Sequence, residues 1–417
     1  MKLFALITLG SFALGQLGAL SIGTNVTLYI QDVVLVCFVI YTAFTNRTLV
    51  YGKLTYPIVT FAAIGILSLI VNAYRFSTPN ILVSSLYLLR WALYGCLYFI
   101  ALVPRIRPHQ WLTWTYWTGV VVAVLGLVQY FYYPYLRNLS YLGWDPHLYR
   151  VFSTFLDPNY LSLYLVLTLF LGASLIEKKT RVIYVLGEVV TGIALLLTYS
   201  RSGFVALFVG MVVYAIVERK IKLVAIGVAI FVGVLFVLPK TDGEGVRLLR
   251  TASSIARVGN WQRGFSLIQE SPVFGFGFNT LRIVQARRGW IDEASGVPSK
   301  AGAGLDDSLQ FVWATTGILG LASYLWIVYS IGSLCTKLLS NNTTRLLGVM
   351  ALSGLIATIV HSQFINSLFY PQILAWWWIV SAAIEQSLTV GSVRGGSLSS
   401  DSLRHPSRQS PKRYRRR

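Results

Sequence analysis

The sequence predicts an all-α integral membrane protein of about twelve transmembrane helices, with one large extracytoplasmic loop between the ninth and tenth spans. Three observations carry that expectation. Hydrophobic side chains make up 55% of the 417 residues and charged ones 12%, where soluble domains carry roughly a quarter charged. Apolar runs approaching the ~20 residues that cross a hydrocarbon core recur along the chain. Lys and Arg collect in alternate connections between those runs, the bias that orients membrane proteins.

The same numbers narrow the classes of function. A net charge of +20 does not describe a nucleic-acid binder here, because the 35 Lys and Arg lie in short clusters between apolar runs and in a terminal tail. Bulk disorder is excluded by the hydrophobic content. Cys37, Cys96 and Cys335 all fall in apolar stretches and lack the spacing of a zinc site or a disulfide framework.

The apolar runs lie near residues 3–22, 27–45, 55–74, 81–103, 112–133, 158–176, 182–200, 203–217, 223–239, 308–335, 346–367 and 371–390. The first also resembles a signal peptide, with Lys2 before it and small residues around Gly18, but its length favours a retained span. One set of connections holds Arg47 and Lys53, Arg105 and Arg107, Lys178, Lys179 and Arg181, Arg219, Lys220 and Lys222, and Lys337 with Arg345. The short connections of the other set hold only Arg75, Arg137, Arg150 and Arg201. The first set is therefore expected in the cytoplasm, with both termini, in a multi-pass protein of the cell membrane.

Four regions follow: a bundle of nine spans over 1–239, the extracytoplasmic loop 240–307, the last three spans over 308–390, and a basic cytoplasmic tail over 391–417. The tail carries eight basic residues and Asp401 among Ser, Gly and Pro, which predicts disorder and is open to two readings, anionic-lipid binding or a solvated end. Loops as long as 240–307 are usually functional. Within it, Trp261, Phe265 and Ile268 recur at helical spacing and predict an amphipathic helix on the membrane face. Gly275 and Gly277 mark a turn, a short helix is expected over 281–288, and 294–304 reads as a lid rich in Gly, Ala and Ser.

Chemistry in such a chain falls to its few ionisable groups near the bundle. Arg90 lies deep in the fourth span, and Asp32 lies in the second; they either pair or leave Arg90 facing an anionic ligand. Glu188 has no evident partner, and His147 and Asp145 are unplaced. The tight turn at Ser200-Arg201-Ser202 holds Arg201 at the bundle mouth, where two hydroxyls and nearby N–H groups can join it around phosphate oxygens. Arg250 and Arg257 are seven apart, about 20° from eclipsed on one helix, with Arg247 before them. Such a stripe is either a solvated face or, over a cavity holding Arg201, a diphosphate site that needs no metal. Asp306-Asp307-Ser308 reads by default as a helix N-cap, and also as a carboxylate placed to act as general base. His361 and Asn366 supply either a second proton acceptor or an interhelical polar contact.

Thr198-Tyr199-Ser200-Arg201-Ser202-Gly203, Arg257-Val258-Gly259-Asn260-Trp261, Ser271-Pro272-Val273-Phe274-Gly275-Phe276-Gly277, Asp306-Asp307-Ser308 and Thr316-Gly317-Ile318-Leu319-Gly320 follow in this order over about 150–335. That succession resembles the O-antigen ligase and polymerase family. The resemblance implies a membrane glycosyltransferase of the C type, acting on the outer face without cofactor or essential metal. The implied donor is a glycan on a polyprenyl diphosphate, and the acceptor a hydroxyl of a glycan, lipid or protein. By motif match Arg201 and Arg257 hold the diphosphate, with Arg90, Arg250, Ser200 and Ser202 as further candidate ligands. Asp306, Asp307 and His361 are the candidate catalytic residues, Asp306 first. Family ligases commonly carry a His-Asn pair where this chain has Asp306-Asp307, so ligase, polymerase and protein O-glycosyltransferase stay open.

Direct displacement by the acceptor hydroxyl inverts the anomeric centre, and the sequence offers no evident second carboxylate for a covalent intermediate. The competing class is a transporter or flippase of lipid-linked glycan, with Arg90 and Arg201 lining a passage.

Overall fold

Every apolar run of the sequence contains a helix in the computed structural model, which describes residues 1–22, 26–46, 50–142, 145, 147–176, 180–237, 252–291 and 304–401. The helices are α1 (Lys2–Leu14), α2 (Ile30–Thr45), α3 (Thr55–Asn72), α4 (Thr78–Leu102), α5 (Pro108–Tyr132), α6 (Pro158–Leu175), α7 (Arg181–Leu197), α8 (Arg201–Glu218) and α9 (Ile221–Val237). Then come α10 (Ala252–Glu270), α11 (Leu281–Arg287), α12 (Ser308–Leu338), α13 (Arg345–His361) and α14 (Pro371–Asp401). Among the described residues, six helices are long and apolar enough to cross a membrane: α3 with its following turn, α4, α5, α6, α8 and α12. The fold is that of an all-α, multi-pass membrane protein.

Two places depart from the simple run of spans. The first run yields only the 13 residues of α1, followed by a hairpin of β1 (Ala19–Ile22) and β2 (Val26–Tyr29) paired antiparallel. The break falls at Gly15, whose φ is +52° and whose Cβ, if present, would sit 2.5 Å from Thr154 O. A side chain there would collide with the 153–155 turn, so the chain leaves the helix at a glycine. At the other end α14 runs to Asp401, eleven residues into the segment expected as tail.

The second departure is a break inside α12. Gly317 is non-helical, with φ 71° and ψ −172°, and an interrupted helix in a bilayer must find other partners for its backbone. The 272–277 segment supplies them. Phe276 N donates to Ala314 O and Gly277 N to Thr315 O, both at 2.9 Å, while Ile318 N donates to Pro272 O at 2.9 Å. Asn72 Nδ2 donates to Gly275 O at 3.1 Å and Ser68 Oγ to Thr315 O at 2.7 Å, so α3 joins the same knot. A Cβ on Gly317 would meet Val273 O at 1.8 Å, and one on Gly275 would meet Thr315 C at 2.4 Å. Both glycines have positive φ and no room for a side chain, which accounts for two of the motifs read from the sequence.

Candidate functional site

Three helix N-termini frame the site, and each has its own cap. Asp157 caps α6, accepting from Asn159 N at 2.7 Å and Tyr160 N at 3.3 Å. Ser200 caps α8 through Gly203 N at 3.4 Å. Asp307 caps α12, accepting from Leu309 N at 2.7 Å and Gln310 N at 3.1 Å. Helix N-termini carry positive partial charge and spare N–H groups, so several facing one place favour an anion there.

The charged residues of these ends and of α10 gather together. Arg257 on α10 is within electrostatic reach of Asp306, Arg201 and Asp157. Burial is the main influence on Arg257 and weakens its hold on the proton, Arg201 adds to this, and the two aspartates oppose it. Burial likewise pushes Asp306 above the usual aspartate value, with Asp157 adding and Arg257 opposing. Asp307 is also raised by burial, against the pull of its two backbone donors. Asn260 ties the pieces: its Oδ1 accepts from Asp306 N at 3.0 Å, so α10 sets where that carboxylate stands.

Asn159 is the hub on the α6 side. Its Oδ1 accepts from Ser200 Oγ at 3.1 Å and from Arg150 Nη2 at 3.4 Å. Arg150 is buried, and its Nε donates to Thr198 O at 2.7 Å, at the start of the turn that carries Arg201. Tyr199, next in that turn, has φ +48°, a region costly for a non-glycine residue unless its surroundings impose it. Ser200 Oγ and Ser202 Oγ lie 3.2 Å apart, so both hydroxyls belong to this braced turn.

Not every sequence candidate joins the group. Arg90 is held by Asp32 at 2.9 Å, by Thr27 O, and between the rings of Tyr29 and Tyr87. Of its two readings, the structure carries the pairing. Asp32 also accepts from Tyr94 Oη at 3.0 Å, so both charges are satisfied inside the bundle. Asp307 is engaged as a cap. His361 is fully buried, its Nδ1 2.6 Å from Ser367 Oγ, with Arg257 in electrostatic reach. Its Nε2 and Asn366 Oδ1 are buried without a hydrogen-bond partner among the described residues. Arg247, Arg250 and residues 294–303 of the expected lid lie outside the described residues. Glu188 lies against Tyr116 and Gly172 within the bundle, and His147 is 3.7 Å from Asp145.

The apolar face expected from Trp261, Phe265 and Ile268 on α10 also resolves differently. Ile268 is buried with Leu267 against α12, whereas Trp261 and Phe265 are exposed. A Cβ on Gly264 would meet Gln310 Oε1 at 2.2 Å, so the face that docks is that of Gly264, Leu267 and Ile268. Sequence reasoning missed Asp157, Asn159 and Arg150. Asp157-Pro158-Asn159 carries the ordinary signal of a helix start, a cap followed by Pro at the first position, and nothing local marks it as more.

The fold and site thus define a multi-pass membrane protein with a cationic, carboxylate-bearing cluster of side chains where three helices begin. Residues 186–325 match the family described as O-Antigen ligase. The matched interval includes Arg201, Arg257, Asp306 and the Gly317 break, and leaves out Asp157, Asn159 and His361. The O-antigen ligase of Salmonella typhimurium (strain LT2) is 28% identical over 157 residues, 36% of this chain and 38% of that protein's length. The alignment therefore spans less than two fifths of that relative.

Proposed function

We propose that the protein is a membrane glycosyltransferase that transfers or polymerises a glycan from a polyprenyl-diphosphate donor on the outer face of the cell membrane. The observation that carries this reading is the grouping of Arg201, Arg257 and Asp306 beside the N-termini of α6, α8 and α12. Two guanidiniums and three helix ends suit a leaving diphosphate, whose charge grows as its bond to the sugar breaks. Arginine stays charged when partly desolvated and binds phosphate bidentately, so fixed cations take the role a divalent ion has elsewhere. The polar turn of Ser200 and Ser202 supplies further donors.

In this reading the acceptor hydroxyl attacks the anomeric carbon, its proton passes to Asp306, and the carbon–oxygen bond to the diphosphate breaks. Direct attack inverts the anomeric centre. A carboxylate raised by burial is a stronger base than a solvated one, which suits this step. The twelve apolar helices are then twelve crossings, with both termini in the cytoplasm and the α7–α8 turn outside. Ser200, Arg201 and Arg257 hold donor; Asp306 acts on acceptor; His361 and Asp157 shape the charge around them.

The test is turnover by the purified protein with a lipid-linked oligosaccharide in excess chelator. Release of polyprenyl diphosphate with glycan lengthening or transfer is expected, and is lost in Arg201→Ala, Arg257→Ala and Asp306→Ala with folding retained. Undiminished turnover in all three overturns the site. Glycan length in cells lacking the gene separates the activities: single repeats point to a polymerase, unattached long chains to a ligase, and unchanged chains with an unglycosylated protein to a protein glycosyltransferase.

A further inference from the structure

The face of α10 that brings Arg257 into the site continues outward as an aromatic ledge. At about 100° per residue, Trp261 stands about 40° round from Arg257 and Phe265 about 80°. Both are substantially exposed, 40% and 46%, although they neighbour the buried Gly264, Leu267 and Ile268. Their rings meet edge to face, with centroids 5.9 Å apart at 77°. The indole is not loose: Trp261 Nε1 donates to Gln363 O at 3.4 Å. The next residue along, Phe364, lies under the Arg257 guanidinium at 5.9 Å. Asn260, one residue before Trp261, holds the Asp306 backbone.

We propose that Trp261 and Phe265 form a sugar-binding subsite, a platform on which a pyranose ring stacks as the glycan enters or leaves the Arg257–Asp306 site. The proposal rests on the glycosyltransferase reading above and adds to it where the glycan lies. The C–H bonds on one face of a pyranose are weakly positive, and the face of an aromatic ring is negative, so the two attract while the sugar's hydroxyls stay in water. A fixed aromatic loses little conformational freedom on binding. The alternative occupant is the bilayer surface, which interfacial aromatics commonly seek. Two features speak against it. A membrane-lying helix presents a continuous apolar face, whereas the exposed surface of α10 beyond this ledge carries Gln262, Arg263, Gln269 and Glu270. The indole N–H, the polar tip that interfacial Trp offers to headgroups, is committed to Gln363.

The ring that stacks belongs to either donor or acceptor, and kinetics separate them. Transfer is measured with lipid-linked glycan and glycolipid acceptor extracted from the membranes of the producing cells, each varied in turn, in detergent and in phosphatidylethanolamine–phosphatidylglycerol vesicles. Trp261→Ala and Phe265→Ala are expected to raise the KM of one substrate about tenfold, equivalent to about 1.4 kcal/mol, with kcat within about twofold; Trp261→Phe restores most of it. The substrate whose KM rises identifies the source. Unchanged KM for both substrates overturns the platform, as does an effect seen in vesicles and absent in detergent, which assigns the rings to the bilayer. Oxidative footprinting reads the contact without turnover: protection of Trp261 by the delipidated glycan supports it, and no protection overturns it. Failure of the broader reading has its own signature, since Asp306→Asn would then keep wild-type turnover whatever Trp261 does.

Discussion

Two half-buried arginine sites divide this molecule, and they differ in what surrounds the cation. Arg90 sits in the bundle with a full complement of partners: the Asp32 carboxylate at 2.9 Å, a backbone carbonyl and two tyrosine rings. Arg257 and Arg201 stand near each other, cation beside cation, and burial weakens the hold of Arg257 on its proton while Asp306 and Asp157 oppose this. Two like charges in one partly desolvated place repel, and Asp306 and Asp157 near Arg257 offset part of that, a mixed cluster that can still take up an anion. The pairing of Arg90 therefore looks inward to stability, and the clustering of Arg201 with Arg257 looks outward to a ligand. From sequence alone Arg90 lay inside a span, Arg201 at a tight turn and Arg257 in the long loop, and all three were open to an anionic ligand.

Substitutions sharpen or break this contrast. The largest effect is expected at Asp306: Asp306→Asn lowers turnover by about 10²–10⁴, the usual worth of a positioned base, and the thermal midpoint rises slightly in the same variant. Burial raises this carboxyl, so the folded protein holds its proton more tightly than the unfolded chain. Its contribution to stability is thus present at low pH and lost as pH rises from the ordinary aspartate value through the raised one. The pH–rate profile should fall on the acid side through that same raised value, and an unshifted acid limb would remove Asp306 from the role of base.

Arg257→Ala and Arg201→Ala come next, each costing about 10²-fold in turnover, in line with losing one charge-stabilising donor. Arg257→Ala removes the repulsion from Arg201 together with the attraction of Asp306 and Asp157, so its thermal midpoint should move little. Arg90→Ala inverts the pattern, leaving turnover per folded molecule intact while costing about 3–5 kcal/mol for the stranded Asp32 charge. Adding Asp32→Asn should recover much of that loss in a denaturation assay. If Arg90→Ala instead abolished turnover in well-folded protein, the division between the two sites would fail.

The smallest effect is expected at Arg150, which belongs to neither class. It braces the Thr198 carbonyl and Asn159, and through them Ser200. Arg150→Lys keeps the charge but loses the fork of donors, so donor KM should rise several-fold, about 1 kcal/mol, with kcat nearly unchanged. A loss of kcat as large as that of Arg201→Ala would place Arg150 in contact with the diphosphate.

The helices were largely legible in the sequence because an apolar side chain in a span is selected by the solvent around it, one residue at a time. Each run near 20 residues has its helix, and the glycines of the 271–277 and 316–320 motifs sit where their backbones meet. Motif order also singled out Arg201, Arg257 and Asp306, which the fold brings near one another. The early end of α1 was not, since Gly15 breaks the helix only because the 153–155 turn crosses there. Asp157 and Asn159 were invisible for a related reason: a cap beside another helix's cap reads in sequence as a cap alone. Trp261 and Phe265 were assigned to one face with Ile268 by spacing, but which of three neighbouring positions is covered depends on the helix that packs there.

By itself, then, the sequence determined the class of solvent, the helical character of each run and the chemical types available to the site, because hydropathy, charge and backbone preference are properties of short segments. Only the tertiary structure decided which arginine is neutralised and which are gathered, which end of α6 meets the α7–α8 turn, and which carboxylate stands beside a cation. Those outcomes are distances between residues far apart in the chain, and electrostatic energy depends on distance and burial, neither of which a linear order contains.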